Sequence, residues 1–394
     1  MNVAIVGAGI FGMAAAIETG ERGHTVTVFD QGSVPYENAA STDVSKGIRR
    51  MWYAGDNETY VELVESAAAK WRHWERILEE SVYHQTGGIS IIDSFGPGTP
   101  MYESWRYLIA RGATEIEVMT APKARKRFPQ FVINDGETVV HDRWSGYIES
   151  GHAVGILARI ARDQGVIITE ETRVTEVTES STGATIKVGE VEAEYDRIVV
   201  AAGVWVGRLL PTIGENVKVT HQEMLLIEVE DESLFSPPNM PVWGVDPDGE
   251  GWYGFPLLRE GCVKVSKEPL GEVVDPDFSR EGTEEFRDET LEFLRGRIPK
   301  MADGRVVSGR TCLYTTTPDD HFVIDWAPGY DSVLVAGGGS GHGFKFGGSI
   351  GSLISDALED RDNPLGRRFR IGDRFTKTPR RSQESRGFAT PRET

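Results

Sequence analysis

Two cysteines, Cys262 and Cys312, are all that the 394 residues contain. Two are too few for a disulfide framework, and neither stands in a Cys-x-x-Cys or zinc-type spacing. No metal site is indicated. Long apolar runs are missing too: none approaches the roughly 18 residues that a membrane-spanning helix needs. Positive charge is scarce. There are 42 Lys and Arg against 61 Asp and Glu, a formal net charge of −19. So acidic a chain repels phosphate backbones and anionic headgroups, which excludes nucleic acid and membrane as general partners. A small anionic substrate stays open, because a few local cations decide that. The length exceeds what one simple core organises, so two intimately joined domains are expected.

Glycine, by contrast, is plentiful, and its placement is informative. Residues 2–30 read NVAIVGAGIFGMAAAIETGERGHTVTVFD. The short apolar run at 3–6 suits a buried parallel strand. Gly7, Gly9 and Gly12 follow in G-x-G-x-x-G spacing, then an Ala-rich helix to about residue 20 and a second strand at 25–29 ending in Asp30. Gly7 permits a tight turn, Gly9 lets a pyrophosphate approach the backbone, and Gly12 lets helix and strand pack closely. The helix N-terminus offers free N–H groups to phosphates, and Asp30 is placed to hold ribose hydroxyls. Strand, glycines, helix, strand and acid in that order predict a dinucleotide site. Because this unit starts at the first residues, no room is left for a signal peptide, and a cytoplasmic location is expected.

Helices are expected at 57–80, 121–128 and 151–164 from apolar spacing and from Pro129 as a stop. Dinucleotide-type elements recur at about 1–30, 145–210 and 305–360. Between them lie stretches such as WYGFPLLREGCVKVSK that look like antiparallel strands joined by turns. The expected class is mixed α/β: a Rossmann-like nucleotide domain from residues 1–85, 142–218 and 305–366, interleaved with a substrate domain from 86–141 and 219–304 on a mostly antiparallel sheet. Residues 367–394 are polar, basic and aperiodic, and are expected to be an extended or disordered tail.

The densest information lies in residues 311–346, TCLYTTTPDDHFVIDWAPGYDSVLVAGGGSGHGFKF. A lone cysteine precedes one apolar run, a second run follows, and a glycine-dense loop then carries His342 and Lys345. Glycines after a strand let backbone approach a ligand closely. The N-terminal fingerprint, DRIVVAAGVW, YGFP…GCVKV, CLYTTTPDDHFVID and GGGSGHGFKF occur in that order. Together they resemble the D-amino-acid-oxidase superfamily of FAD-dependent amine oxidases, nearest the group of monomeric sarcosine oxidase, N-methyltryptophan oxidase and the fructosyl amino acid oxidases. The likeness spans roughly residues 1–359 and implies FAD rather than NAD. It implies oxidation of a C–N bond: a hydride equivalent leaves the carbon beside a secondary amine for flavin N5, the imine hydrolyses, and oxygen reoxidises the flavin to give hydrogen peroxide. A monomer acting on a small amine or amino-acid substrate and oxygen is what the resemblance implies.

The resemblance also implies roles for single residues. Cys312 matches a cysteine bonded to the flavin 8α-methyl; the alternative is an ordinary buried thiol. Lys264 matches a lysine over flavin N5, where a cation stabilises charge as oxygen accepts an electron; the alternative is a strand lysine facing solvent. Arg49 and Lys345 match the pair that grips the substrate carboxylate, for which a planar guanidinium is well suited. Arg50 is adjacent, and Arg49 is preferred on motif register alone. Lys46 takes the place of a basic residue near the flavin; His342 is a candidate support for the ring edge, the alternative being a structural loop histidine. Val174, Ala202 and Gly203 match contacts to the adenine and the pyrophosphate–ribose. Gly338, Gly339, Gly341 and Gly343 match the loop along the flavin ring. Tyr314, Tyr253 and Trp52 are candidate walls of the substrate cavity, or simply core. Glu268 stands where sarcosine oxidase carries a histidine. It puts sarcosine itself in doubt and suits a larger substrate with a second cation, or faces solvent.

The expected activity is therefore oxidation of an N-methyl or other N-substituted amino acid. Fructosyl amino acids and cyclic, pipecolate-type imino acids are the alternatives, as is a dehydrogenase of the same fold with another electron acceptor. A non-catalytic FAD-binding subunit has no use for Arg49, Lys264, Cys312 and Lys345 together, and an NAD-linked dehydrogenase does not need the GGGSGHGFKF loop.

Overall fold

In the computed structural model, which describes residues 1–53, 58–245, 251–268 and 271–375, the first apolar run is the strand Asn2–Val6. Its Val3, Ala4 and Ile5 are fully buried, as a strand covered on both faces must be. It lies in a six-stranded sheet of order Val323–Trp326, Val333–Gly337, Arg197–Val200, Asn2–Val6, Thr25–Phe29, Ile167–Thr169. Neighbours run parallel except the edge pair Val323–Trp326 with Val333–Gly337. The helices Ile10–Glu21, Glu58–Leu78, Ser150–Asp163 and Gly347–Leu358 pack together beside it. Small residues let them approach: a Cβ on Gly351 would lie 2.3 Å from the Ala14 carbonyl oxygen, and one on Gly348 2.4 Å from that of Ala67. The helix expected at 57–80 is Glu58–Leu78, burying Val61, Val64, Ala68 and Trp71; residue 57 lies outside the described residues.

The second sheet has eight strands in the order Arg305–Thr316, Lys218–Glu228, Val263–Lys267, Trp252–Phe255, Val242–Val245, Gly88–Ile92, Thr138–Asp142, Ile116–Thr120. Only Val242–Val245 with Gly88–Ile92 is parallel. Alternation sends Val263 and Val265 to the core that holds Trp243 and Trp252, and Lys264 to the other face. The helix Glu284–Arg297, capped by the Thr283 side chain on the Phe286 N–H, closes that core with Phe286 and Leu294.

Two expectations about segment boundaries meet a different arrangement. The strand Arg305–Thr316, assigned to the nucleotide domain, pairs along its length with Lys218–Glu228 at the edge of the second sheet. Its last residues nevertheless reach the nucleotide side, so one strand serves both. The expected tail is packed through Phe375: Gly366–Phe369 and Gly372–Phe375 are short 3-10 turns, and Phe369 is fully buried. Residues 376–394 lie outside the described residues. Among the described residues no helix is long and apolar enough to cross a membrane, and no cluster of His, Cys, Asp and Glu suits a metal ion. Both cysteines are free and buried.

Candidate active site

A single cavity of about 420 Å³ joins the two ends of the sequence. At one end Gly7 has φ +107°, and a Cβ there would stand 2.4 Å from the Ala201 carbonyl oxygen; a Cβ on Gly12 would stand 1.8 Å from that of Gly7. Neither position tolerates a side chain, which is what holds turn, helix and strand this close. Gly7 and Gly9 line the cavity, as do Val174, Ala202 and Gly203; Gly12 lies beneath them. Asp30 also lines it. One carboxylate oxygen accepts from the Ala8 N–H at 2.7 Å and the other from the Gly32 N–H at 3.0 Å, while burial pushes its pKa up. Each oxygen keeps a lone pair for the cavity.

At the other end the lining passes to Lys46, Tyr314, Gly338, Gly339, Gly341 and Gly343. Gly341 has φ +76°, and a Cβ there would meet the Tyr314 ring at 2.8 Å; one on Gly343 would meet the Phe11 ring at 2.9 Å. The glycines thus lay this loop flat against two aromatic rings. Both ends fit a dinucleotide, with glycine cradles at each and an acid at the first.

Behind this second end stand two groups of cations. In the first, Asp43 is buried and ion-paired to Lys264 and, at 3.0 Å, to Lys46. Lys264 also donates to the Ser45 carbonyl at 2.8 Å and lies over the Phe255 ring. Burial works against charge on Asp43, but the two ammoniums outweigh it and hold the carboxyl well below the usual range. Burial pushes Lys264 down to about 8, against the pull of Asp43. Lys46, less enclosed and beside the same carboxylate, is raised despite its desolvation. Lys46 reaches towards Cys312, whose Sγ is 3.8 Å from its Nζ and 3.9 Å from the Ala40 carbonyl oxygen. Ala40 and Lys46 both line the cavity, so Cys312 sits directly behind its wall.

The second group centres on Tyr53. Lys345 is buried and donates to the Tyr53 hydroxyl at 3.0 Å and to the His342 carbonyl at 2.9 Å. Arg49 lies over the Tyr53 ring at 5.0 Å and donates to the Met51 carbonyl at 2.8 Å. Arg49 forms no ion pair among the described residues. Arg50 is committed elsewhere, to Glu65, Glu115 and Asp142, with its guanidinium over Trp144. The two adjacent arginines thus differ in their partners. The Trp71 indole holds the Lys345 carbonyl at 3.1 Å. His342 is buried beside Tyr53 rather than on the cavity surface.

Tyr253 and Tyr314 stand at this end as neutral phenols. Burial, with the Glu268 carboxylate adding to it, pushes Tyr253 up to about 12, and burial together with Tyr253 raises Tyr314 further. Glu268 itself is exposed. Trp52 is not on the cavity: it packs against the core with φ 77° and its N–H on Ser104. Sequence reasoning passed over Asp43 and Tyr53. Asp43 had a local signal, lying three residues before Lys46; Tyr53 had none beyond its place in the KGIRRMWY motif.

The profile of the family described as FAD dependent oxidoreductase (DAO) matches residues 2–357. An N-methyl-L-tryptophan oxidase of Yersinia pestis (strain Pestoides F) is 26 % identical over 373 residues, which cover 92 % of this chain and 96 % of that protein. The structure of fructosamine oxidase (Amadoriase II) from Aspergillus fumigatus matches with a TM-score of 0.82 at 23 % identity, over 99 % of this chain and 94 % of that one. NikD, an amino acid oxidase of nikkomycin biosynthesis, matches with a TM-score of 0.78 at 20 % identity, over 92 % and 94 %.

Proposed function

The chain belongs to the FAD dependent oxidoreductase family, and from that premise we propose that it oxidises the C–N bond of a secondary amine that carries a carboxylate, giving an imine that hydrolyses and hydrogen peroxide. The observation that carries this reading is the convergence of Arg49 and Lys345 on Tyr53, next to the glycine loop that lines the cavity. Two cations on one tyrosine suit a carboxylate, with a fork from Arg49 and a point charge from Lys345.

Gly7, Gly9, Asp30, Val174, Ala202 and Gly203 would hold the adenosine and pyrophosphate. Lys46, Tyr314 and the Gly338–Gly343 backbone would hold the ring. When bound, the flavin takes two electrons from the C–N bond and passes them to oxygen. Lys345 and Arg49 then orient the substrate by its carboxylate. Tyr253 and Tyr314, kept neutral by burial, wall the site without adding charge. Lys264, held by Asp43, supplies a fixed positive charge where oxygen becomes reduced. Glu268, exposed where sarcosine oxidase carries a histidine, is read as suiting a larger amino acid with a second cation over sarcosine. Cys312 is placed to carry the flavin covalently: if it does, acid-precipitated protein keeps its yellow colour and Cys312→Ser releases it. Colour released from both proteins alike would remove the thioether. The free cysteines suit a reducing, cytoplasmic setting, and the enzyme is read as a monomer.

The test is a peroxide assay across N-methyl, N-fructosyl and cyclic amino acids. Turnover is expected in at least one class and none with the matching carboxamide; no turnover in any class contradicts the reading.

A further inference from the structure

The C-terminal turns do more than end the chain. Phe369 inserts between Tyr60 and Phe322, with ring centroids at 5.8 and 5.2 Å. Five residues on, Arg374 grips a turn near the active site. Its Nε and Nη2 each donate to a different oxygen of Asp319 at 2.8 Å. Nη2 also donates to the His321 carbonyl at 3.0 Å and Nη1 to the Phe322 carbonyl at 2.9 Å. Every one of these acceptors lies within residues 319–322, so a single planar fork fixes that turn in three dimensions.

The turn in turn fixes His342. Asp320, in the left-handed region at φ 59°, presents its carbonyl oxygen to His342 Nε2 at 3.0 Å. A carbonyl only accepts, so Nε2 carries the hydrogen, and in the neutral ring Nδ1 is an acceptor. The Tyr53 hydroxyl, 3.2 Å from Nδ1, therefore donates to it. That leaves the oxygen lone pairs of Tyr53 turned to the Lys345 ammonium at 3.0 Å. The hydrogen bonds from Arg374 to Lys345 thus have a defined direction.

We propose that Arg374 is a positioning residue for substrate binding: by locking the 319–322 turn it fixes the His342 tautomer, the Tyr53 hydroxyl and hence the Lys345 ammonium. This rests on Lys345 being the carboxylate anchor. The experiment uses the FAD-loaded full-length enzyme. Binding of a non-oxidisable carboxylate, acetate or the thioether analogue of an active substrate, is read from the flavin spectrum, together with KM and kcat. Arg374→Gln is expected to raise both the analogue Kd and KM about tenfold, with the change falling on KM rather than kcat. Tyr53→Phe is expected to do the same, and the double variant to cost little more than either single one, since both break one chain. Arg374→Lys keeps the charge without the fork and is expected to lie between; it also serves if the glutamine variant does not fold. A lowered melting temperature with unchanged Kd in either Arg374 variant overturns the proposal, as do fully additive effects in the double variant. Lys345→Met separates the premise from the inference. If it leaves Kd unchanged, the anchor reading and this inference fall together. If it raises Kd while the Arg374 variants do not, the inference alone falls.

Discussion

Lys264→Met is expected to slow reoxidation of the reduced enzyme by oxygen roughly 10²–10³-fold, while anaerobic reduction by substrate changes little. Alternation along the strand Val263–Lys267 buries Val263 and Val265 on one side and sends Lys264 to the other. There the ammonium is almost fully enclosed and tied to Asp43 and the Ser45 carbonyl, so it cannot swing to solvent. A fixed charge in a dry site acts strongly on charge that develops beside it, and costs no reorganisation when it does. Methionine keeps the packing over Phe255 and removes the charge together with its hydrogen bonds to Asp43 and the Ser45 carbonyl. Asp43 keeps one cation, because Lys46 holds its proton well beyond the ordinary lysine range. The pH dependence follows from burial, which brings Lys264 down to about 8: the charged form exists below that pH and is lost above it. Reoxidation is therefore expected to slow as pH rises through about 8, and the methionine variant to show no such step. Stopped-flow mixing of reduced enzyme with oxygen measures both. Equal slowing of reduction and reoxidation would remove the assigned role.

Adjacent arginines should fail in opposite ways. Arg49→Ala is expected to raise KM and the Kd of carboxylate ligands about 10²-fold, the loss of a bidentate charged contact, with little change in the denaturation midpoint. Arg50→Ala is expected to destabilise the fold by about 3 kcal/mol, because removing one partner of a buried ion network strands the others. Asp142 is the group left buried without a cation, keeping only the Trp144 N–H and the Ser145 hydroxyl: its side chain is 3 % exposed, whereas Glu65 and Glu115 reach solvent at 32 % and 27 %. The figure therefore sits at the low end of the range for buried pairs. Chemical denaturation and substrate titration of the two variants separate the roles. A stability loss in Arg49→Ala with unchanged KM would exchange them.

What could be read in the sequence was what is local. Gly7, Gly9, Gly12 and Asp30 lie within one strand–turn–helix–strand unit, so their spacing announced the turn that now lines the cavity. The glycines at 338–343 were legible for the same reason. Contacts that depend on distant chain were not. Asp43 meets Lys264 across 221 residues, and no spacing announces that. Motif register alone ordered Arg49 before Arg50; that Arg50 is paired with Glu115 and Asp142 had no sequence signal. The strand Arg305–Thr316 was assigned to the nucleotide domain, but its hydrogen bonds serve the second sheet while Tyr314 and Thr315 line the cavity. Polar composition at 367–375 suggested a tail. The deciding residues are Phe369, buried among aromatics, and Arg374, whose guanidinium holds the 319–322 turn and the Arg370 carbonyl.

The central claim, that this cavity aims a carboxylate-bearing secondary amine at FAD, is met most directly by anaerobic mixing. Holoenzyme is combined with an N-methyl, an N-fructosyl and a cyclic amino acid in turn, and the yellow flavin absorbance is followed before oxygen is admitted. Bleaching by at least one of them is predicted, slowed in Lys345→Met, with one peroxide formed per flavin when oxygen enters. A flavin that stays oxidised with all three, or is bleached equally well by the same amines lacking the carboxylate, would contradict it.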